Sequence, residues 1–402
     1  MVAAIAAARG GAYVTIYERN DRLGKKILAT GNGKCNLGNL NLSSLDYYSG
    51  NLHMLESILE KFGTQDTIRF FESIGLMIKE KNGYLYPQSE QASAVLDVLR
   101  LGVERHHVEI RYQTKVTGLV PKGQGFLIVT GDGNVCHDFY DRVILACGSK
   151  AAPKTGSDGS GYKIARKMGI RVSGVVPALV QLRCQESYLK GVAGVRADAC
   201  VHIYRNHQEI TKERGELLLT EYGISGIPVF QLSGCVNRIL YQEPKTAGLR
   251  AEIDFLPDIS NEEWIVYGKQ RIRNASQDNL VTVEDFFTGM LNKKLMMLFI
   301  KQAGLKSNAP VSQVAEEQLL QVFMQCKKFV LCITGSMSYD SAQVCSGGVS
   351  LHEVTEDLEA VDIKGLYFAG ELLDVDGRCG GYNLQWAWAS GYLSGSAAAR
   401  KE

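Results

Sequence analysis

Along the 402-residue chain the hydrophobic positions switch repeatedly between helical and strand-like spacing. Val2–Arg9 is a run of helix formers closed by Gly10-Gly11, and the short apolar run 12–17 follows, so a helix feeding a buried strand is expected. Residues 57–74 and 93–104 have helical apolar spacing, whereas 108–112, 115–120 and 125–129 read as strands. The apolar run 142–146 (RVILA) is a buried strand ending at Cys147-Gly148, and the glycine-rich segment 156–161 opens a helix over 162–168. A second buried strand, 366–369, returns the chain to the main sheet late, so the stretch between reads as an insertion. Within it, 181–219 and 251–255 alternate like strands and 261–325 is mostly helical.

The strand over 12–17 ends at Glu18, and an acidic residue at the tip of the second strand of a Rossmann-like unit is where adenosine ribose hydroxyls are gripped. A lone Glu after a strand equally fits solvated surface. The helix over 2–9 has no capping Ser, Thr, Asp or Asn before it, and a parallel strand at 12–17 needs a neighbour that would precede that helix. The expectation is therefore a start inside the fold, with a first strand and a G-x-G-x-x-G turn lying just before Met1; a divergent N-terminus working without them is the alternative.

Charge changes little in this picture. Lys+Arg 44 against Asp+Glu 43 leaves a formal charge of +1, which argues neither for nor against nucleic acid as a partner. No apolar run is long enough for a bilayer-spanning helix, and the Ala-rich start is a poor signal peptide, so a cytoplasmic protein with no membrane partner is expected. The ten cysteines include no CxxC pair, which reads as reduced thiols and counts against a disulfide reductase. No His, Asp, Glu or Cys cluster has metal-ligand spacing and no Ser-His-Asp arrangement is visible, so neither a metal nor a covalent nucleophile is expected.

Three clusters carry candidate chemistry. Residues 23–36 (LGKKILATGNGKCN) combine three glycines after Leu23 with paired lysines, which suits a backbone passing close to an anion, although mobile surface turns look similar. Ala146-Cys147-Gly148 ends a strand where the missing side chain of Gly148 lets a flat ligand approach. The strongest is 370–383 (GELLDVDGRCGGYN), whose glycine pair opens a helix over 384–399 with free N–H groups and a positive dipole end. Such a helix start can hold negative charge that develops during a reaction.

With these motifs, together with TGSDGSGY (155–162), GELLLTEYGISG (215–226), AQVCSGGVSLHEV (342–354) and LYFAGELLDVDGRCGGYNLQWAWASGY (366–392), the chain resembles the BaiN/YhiN-like flavoproteins, also called the aminoacetone-oxidase-type FAD-binding family. The resemblance runs from Met1 to the C-terminus. It implies an α/β fold: a Rossmann-like FAD-binding domain, here without its first strand and GxGxxG, split by an inserted β-barrel-like and helical domain. The expected divisions are 1–181 and 346–402 for the FAD domain, 182–257 and 327–345 for the barrel part, and 258–326 for the helical part.

Carried over to this sequence, the resemblance places Glu18 at the adenosine ribose with Arg19 beside it. It lines FAD with Lys25, Gly31, Gly33, Cys35 and Asn36 and brings the Val116 backbone to adenine. Ala146 and Gly148 pass near the cofactor, Asp374 takes the ribityl chain next to Gly370 and Glu371, and Gly380, Gly381, Tyr382, Asn383 and Leu384 face the ring. Without a glycine-rich turn, the pyrophosphate would lack its main backbone donors. The implied activity is reduction of an activated C=C bond, with NAD(P)H charging the FAD and an oxo-bile-acid-like small molecule as one possible substrate. Reduction of uridine to dihydrouridine in ribosomal RNA is an alternative; Arg271, Arg273, Lys293, Lys294, Lys301 and Lys306 are its basic candidates, though a solvated face has the same composition. An aminoketone or amine oxidase using oxygen is another, and a chain without activity a third. No proton donor is assigned; Tyr382, Cys35 and His352 are candidates by position.

Overall fold

A computed structural model describes residues 1–131, 135–243, 248–275 and 280–400, without the side chains of 135–137, so the Cys136 thiol lies outside the described residues. The chain divides into two compact units, one formed by residues 1–178 with 339–402 and the other by residues 179–338.

In the first unit, helix Val2–Arg9 is buried from Val2 to Ala7. Its small side chains suit the close approach of the long last helix, Tyr382–Ala398: a Cβ added at Gly395 would stand 2.2 Å from the carbonyl oxygen of Ala3. Strand Thr15–Tyr17 pairs in parallel with Glu109–Arg111, and Val143–Leu145 pairs in parallel with Leu366–Phe368. The parallel pairing joins segments far apart in sequence, as helical crossovers require. Val116–Lys122, Gly125–Thr130 and Val135–Tyr140 form an antiparallel meander, of which the first two are the strands expected at 115–120 and 125–129. The core runs through Ile5, Leu55, Ile58, Phe71, Val95, Leu99, Phe368 and Trp386.

Two local expectations are corrected. The helical spacing over 57–74 covers two helices, Leu52–Lys61 and Thr64–Ser73, because Gly63 interrupts them and the Asp66 carboxylate reaches back to accept the Gly63 N–H at 3.0 Å. The glycine-rich segment 23–36 is not all loop, since its first part forms the short helix Lys25–Ala29. A hairpin, Ile78–Lys81 with Tyr84–Pro87, turns on Asn82 and Gly83, both left-handed at φ 54° and 84°. That is the geometry an Asn-Gly pair favours.

The second unit is a closed barrel of six strands in the order Leu182–Cys184, Gly223–Gly226, Gln208–Thr220, Arg196–Arg205, Leu249–Asp254 and Phe329–Ser336. Alternate residues such as Val201, Ile203, Leu217, Leu219 and Leu331 fill its interior. Helix Ile227–Gln242 packs on the barrel, and helices Asn261–Ala275, Val283–Phe287, Lys293–Gln302 and Glu316–Lys327 form the helical part. Lys327 closes the two parts together. Its ammonium donates to Asp254 Oδ2 at 2.6 Å and to the Leu256 and Ile259 carbonyls at 2.7 and 2.6 Å, which satisfies all three protons of a nearly buried amine. Among the described residues, no helix is long and apolar enough to cross a membrane.

Candidate functional site

The site residues expected from the sequence fall into three neighbouring groups in the first unit, with one outlier. The first group gathers at the end of strand Thr15–Tyr17. Glu18 accepts the Asn20 N–H at 2.8 Å, and the Thr114 N–H donates to the Glu18 carbonyl at 2.9 Å, which brings Val116 close to Glu18 in the fold. Arg19 pairs with Asp158 at 2.6 Å and donates to the Gly156 carbonyl, while Lys115 donates to the same Asp158 carboxylate at 2.8 Å. Burial opposes ionisation of Asp158, but the bonds from Lys115, Ser160 and Arg19 outweigh it and hold its carboxyl well below the usual carboxylate range. Lys25 turns back towards this group, pairing with Asp21 at 2.8 Å.

The second group joins the glycine-rich segment to the third cluster. Lys26 donates to Glu371 Oε2 at 2.6 Å, and Ser149 Oγ donates to the same oxygen at 3.1 Å. Glu371 therefore ties the Lys25–Ala29 helix to the strand end that carries Ala146 and Gly148. Ala146 is exposed although it directly follows the buried Leu145, and Gly148 sits at φ 74°. The Trp386 indole N–H donates to the Gly370 carbonyl at 3.2 Å, and the Gly370 N–H donates to Ser390 Oγ at 2.9 Å, so the last helix fixes this loop. Asp374 is buried and accepts from Ser173 Oγ at 2.9 Å.

The third group surrounds the start of the last helix. Gly381 is its left-handed N-cap residue at φ 93°, and a Cβ there would meet Asn36 Oδ1 at 2.6 Å and the Gly38 carbonyl at 2.7 Å, so only glycine lets the two loops come this close. The Trp388 indole N–H donates to the Leu37 carbonyl at 2.9 Å, and Tyr47 Oη donates to the Tyr382 carbonyl at 2.8 Å. Gln385, fully buried, accepts from Thr67 Oγ1 at 2.9 Å. Cys35 is also fully buried, at φ 56°, and burial pushes its thiol up to about 11, so it stays protonated. Burial likewise raises the Tyr382 phenol, with Asp46 adding to the shift.

The side chains of two further candidates, Asn383 and His352, have partners of their own. The Asn383 side chain is spent on the backbone of the preceding turn, accepting from Gly377 N at 2.8 Å and donating to Gly377 O at 2.7 Å, which leaves its main chain to face a ligand. His352 is exposed and its Nδ1 lies 3.4 Å from Asn51 Nδ2, apart from the three groups. Lys26, Ser149, Trp386, Trp388 and Gln385 are the organising residues that sequence reasoning missed.

These groups fit an FAD. The buried Asn36 Oδ1 has no hydrogen-bond partner, an acceptor that a donor on a bound ring would satisfy. The helix start at Gly381 offers N–H groups that a helix leaves without intrahelical partners, whereas the space beside Gly148 is taken by Ser157, 3.1 Å from where a Cβ would stand.

Comparison with known proteins agrees with this reading. Residues 1–397 match the family described as HI0933-like protein Rossmann domain. The chain is 42% identical over 409 aligned positions to the 3-dehydro-bile acid delta(4,6)-reductase of Clostridium scindens, covering 100% of this chain and 97% of that one. It is 29% identical to the ribosomal RNA dihydrouridine synthase of Haemophilus influenzae, covering 96% and 92% of the two chains. Among solved structures, the 3-ketosteroid delta1-dehydrogenase of Sterolibacterium denitrificans shares the fold at a TM-score of 0.52 and 11% identity, over 99% of this chain and 97% of that one. On a match that runs over residues 1–397, the chain belongs to the HI0933-like Rossmann-domain family and is a flavoprotein oxidoreductase.

Proposed function

We propose that the chain reduces a C=C bond conjugated to a carbonyl in a flat, fused-ring small molecule of the oxo-bile-acid kind, with FAD as cofactor and NAD(P)H as electron donor. The observation that carries this reading is the start of the Tyr382–Ala398 helix, where a left-handed Gly381, the partnerless Asn36 Oδ1 and the Gly38 carbonyl converge. The 42% identity to a protein named for delta(4,6) reduction supports the bond and substrate class. A bound flavin supplies hydride transfer between nicotinamide and substrate. The chain's own residues position and stabilise. In this reading the first-turn amides hold negative charge, Asp374 takes the ribityl chain, Glu371 acts through Lys26 to order the loop beside it, and Tyr382, kept protonated by burial, gives a proton to substrate.

Dihydrouridine formation is the second reading, favoured by the 29% relatives and built on the same bond reduction. Two of its basic candidates are occupied by structure. Arg271 donates to the Phe286 carbonyl at 2.7 Å and stacks over the Phe286 ring, and Lys293 pairs with Glu284 at 2.8 Å. In the test the FAD-loaded protein is reduced anaerobically with NADPH or NADH, or in a parallel run with an aminoketone, and then mixed with a 3-oxo-4,6-diene bile acid, with uridine-containing ribosomal RNA, or with oxygen. Rapid flavin reoxidation by the steroid diene alone supports the proposal. Reoxidation only by RNA, or only by oxygen with release of peroxide, overturns it in favour of the corresponding alternative.

A further inference from the structure

Helix Lys293–Gln302 in the second unit presents one face to a groove of about 550 Å³. Val192 and Ile300, both nearly fully buried, form its floor, and Met297 and Leu298 form its half-buried walls. Lys294 and Lys301 stand at its rim. They are seven residues apart, two helical turns, and so lie on the same helix face about 10 Å from each other. Among the described residues neither pairs with a carboxylate, whereas Lys293, one position away and outside the groove, is held by Glu284. The concavity therefore combines an apolar floor, an adaptable methionine wall and uncompensated positive charge only at its edge.

From this arrangement we propose that the groove is a binding site for an amphipathic anion, with an apolar body on the Val192–Ile300 floor and a single acidic head at the lysine rim. The volume falls within the range of small-molecule sites, and charge complementarity selects the head group. A carboxylate set at the rim keeps its partners half in water, so its desolvation cost is small, while the body loses water from the side that lies on the apolar floor. A neutral apolar ligand would gain only the second of these. The site is independent of the flavin reading, because each of its residues belongs to the second unit.

Calorimetric titration of the full-length, FAD-loaded protein with laurate below its micellar concentration, and separately with cholate, tests the site and tells a flexible acyl body from a rigid fused-ring one. The expected result is saturable one-to-one binding of one of the two. Its affinity should fall at least ten-fold in Lys294→Ala/Lys301→Ala, stay unchanged in Lys293→Ala, and weaken as salt rises. Met297→Trp, which fills the groove and leaves the lysines in place, should also remove binding. Equal affinity in the wild type and the Lys294→Ala/Lys301→Ala protein, or no saturable binding of either probe, overturns the proposal.

Discussion

Replacing Glu371 by glutamine keeps the shape of the side chain and removes its charge, leaving Lys26 facing a neutral amide and Ser149 with a weaker acceptor. Breaking a fully buried pair by deleting one charge costs about 3–5 kcal/mol. The Lys26 and Glu371 side chains keep 30% and 17% exposure, so solvent screens part of the imbalance, and the loss should be nearer about 2 kcal/mol. The pair orders the Lys25–Ala29 helix against the Ser149 strand end before any cofactor arrives, so most of that loss should appear as weaker FAD binding. About 2 kcal/mol corresponds to a dissociation constant raised by roughly thirty-fold. Fluorescence-quench titration of the apoprotein with FAD measures it directly. Lys26→Met should give the same loss, and the double variant should be no worse than either single one, since all three remove one interaction. Additive losses would refute the reasoning, because Glu371 would then act on FAD by itself and not through Lys26.

Glu18→Ala and Asp374→Ala should each weaken FAD retention on gel filtration, and unchanged retention in both would contradict the cofactor placement. Tyr382→Phe should slow substrate-driven flavin reoxidation by roughly a hundred-fold or more while leaving reduction by NAD(P)H untouched, as stopped-flow absorbance would show. Cys35, raised to about 11 by burial, favours the fold as a neutral thiol. Its contribution is whole below the unfolded thiol range near pH 9 and is lost as pH rises through 11, roughly 3 kcal/mol in all. Urea melts of wild type and Cys35→Ala should therefore converge between pH 9 and 11, and parallel pH profiles would count against a buried thiol. Gly395→Val should cost at least about 2 kcal/mol in a denaturant melt, because its side chain would occupy the space of the Ala3 backbone.

The architecture was legible where a local string determined it. The apolar runs ending at Gly148 and Gly370 read as buried strands because they carry no alternation; Leu366–Phe368 is buried throughout, whereas Val143 and Ile144 are half-buried. The barrel read as strands for the opposite reason, since along Arg196–Arg205 buried Ala199, Val201 and Ile203 alternate with half-buried Cys200 and His202. The break at Gly63 did not register because the apolar positions on its two sides, Ile58, Leu59, Phe70 and Phe71, all belong to one core and hide the interruption. Gly63 followed by Asp66 was the available signal, and Asn82-Gly83 was the available signal for the hairpin. The Lys26–Glu371 pair had none, because its partners are 345 positions apart and each sits in a motif that already had an assigned role.

The same non-locality explains how irregular loops can make a precise site. The last helix is buried on every side, with Gln385, Trp386, Trp388, Ala389, Ser390 and Ser394 all inside. It therefore serves as an axis and not as a cover. Its polar groups reach outward to the loops: Trp388 to Leu37, and Trp386 and Ser390 to Gly370. Each of these bonds fixes a segment next to an expected FAD contact, so the position of the contact is set by a rigid element. This also accounts for Cys35, a residue other than glycine at φ 56°. A conformation that costs about 1 kcal/mol or more per residue persists only where its surroundings over-determine it. Here the burial of Cys35 and the Trp388 bond to Leu37, two residues further on, supply that constraint.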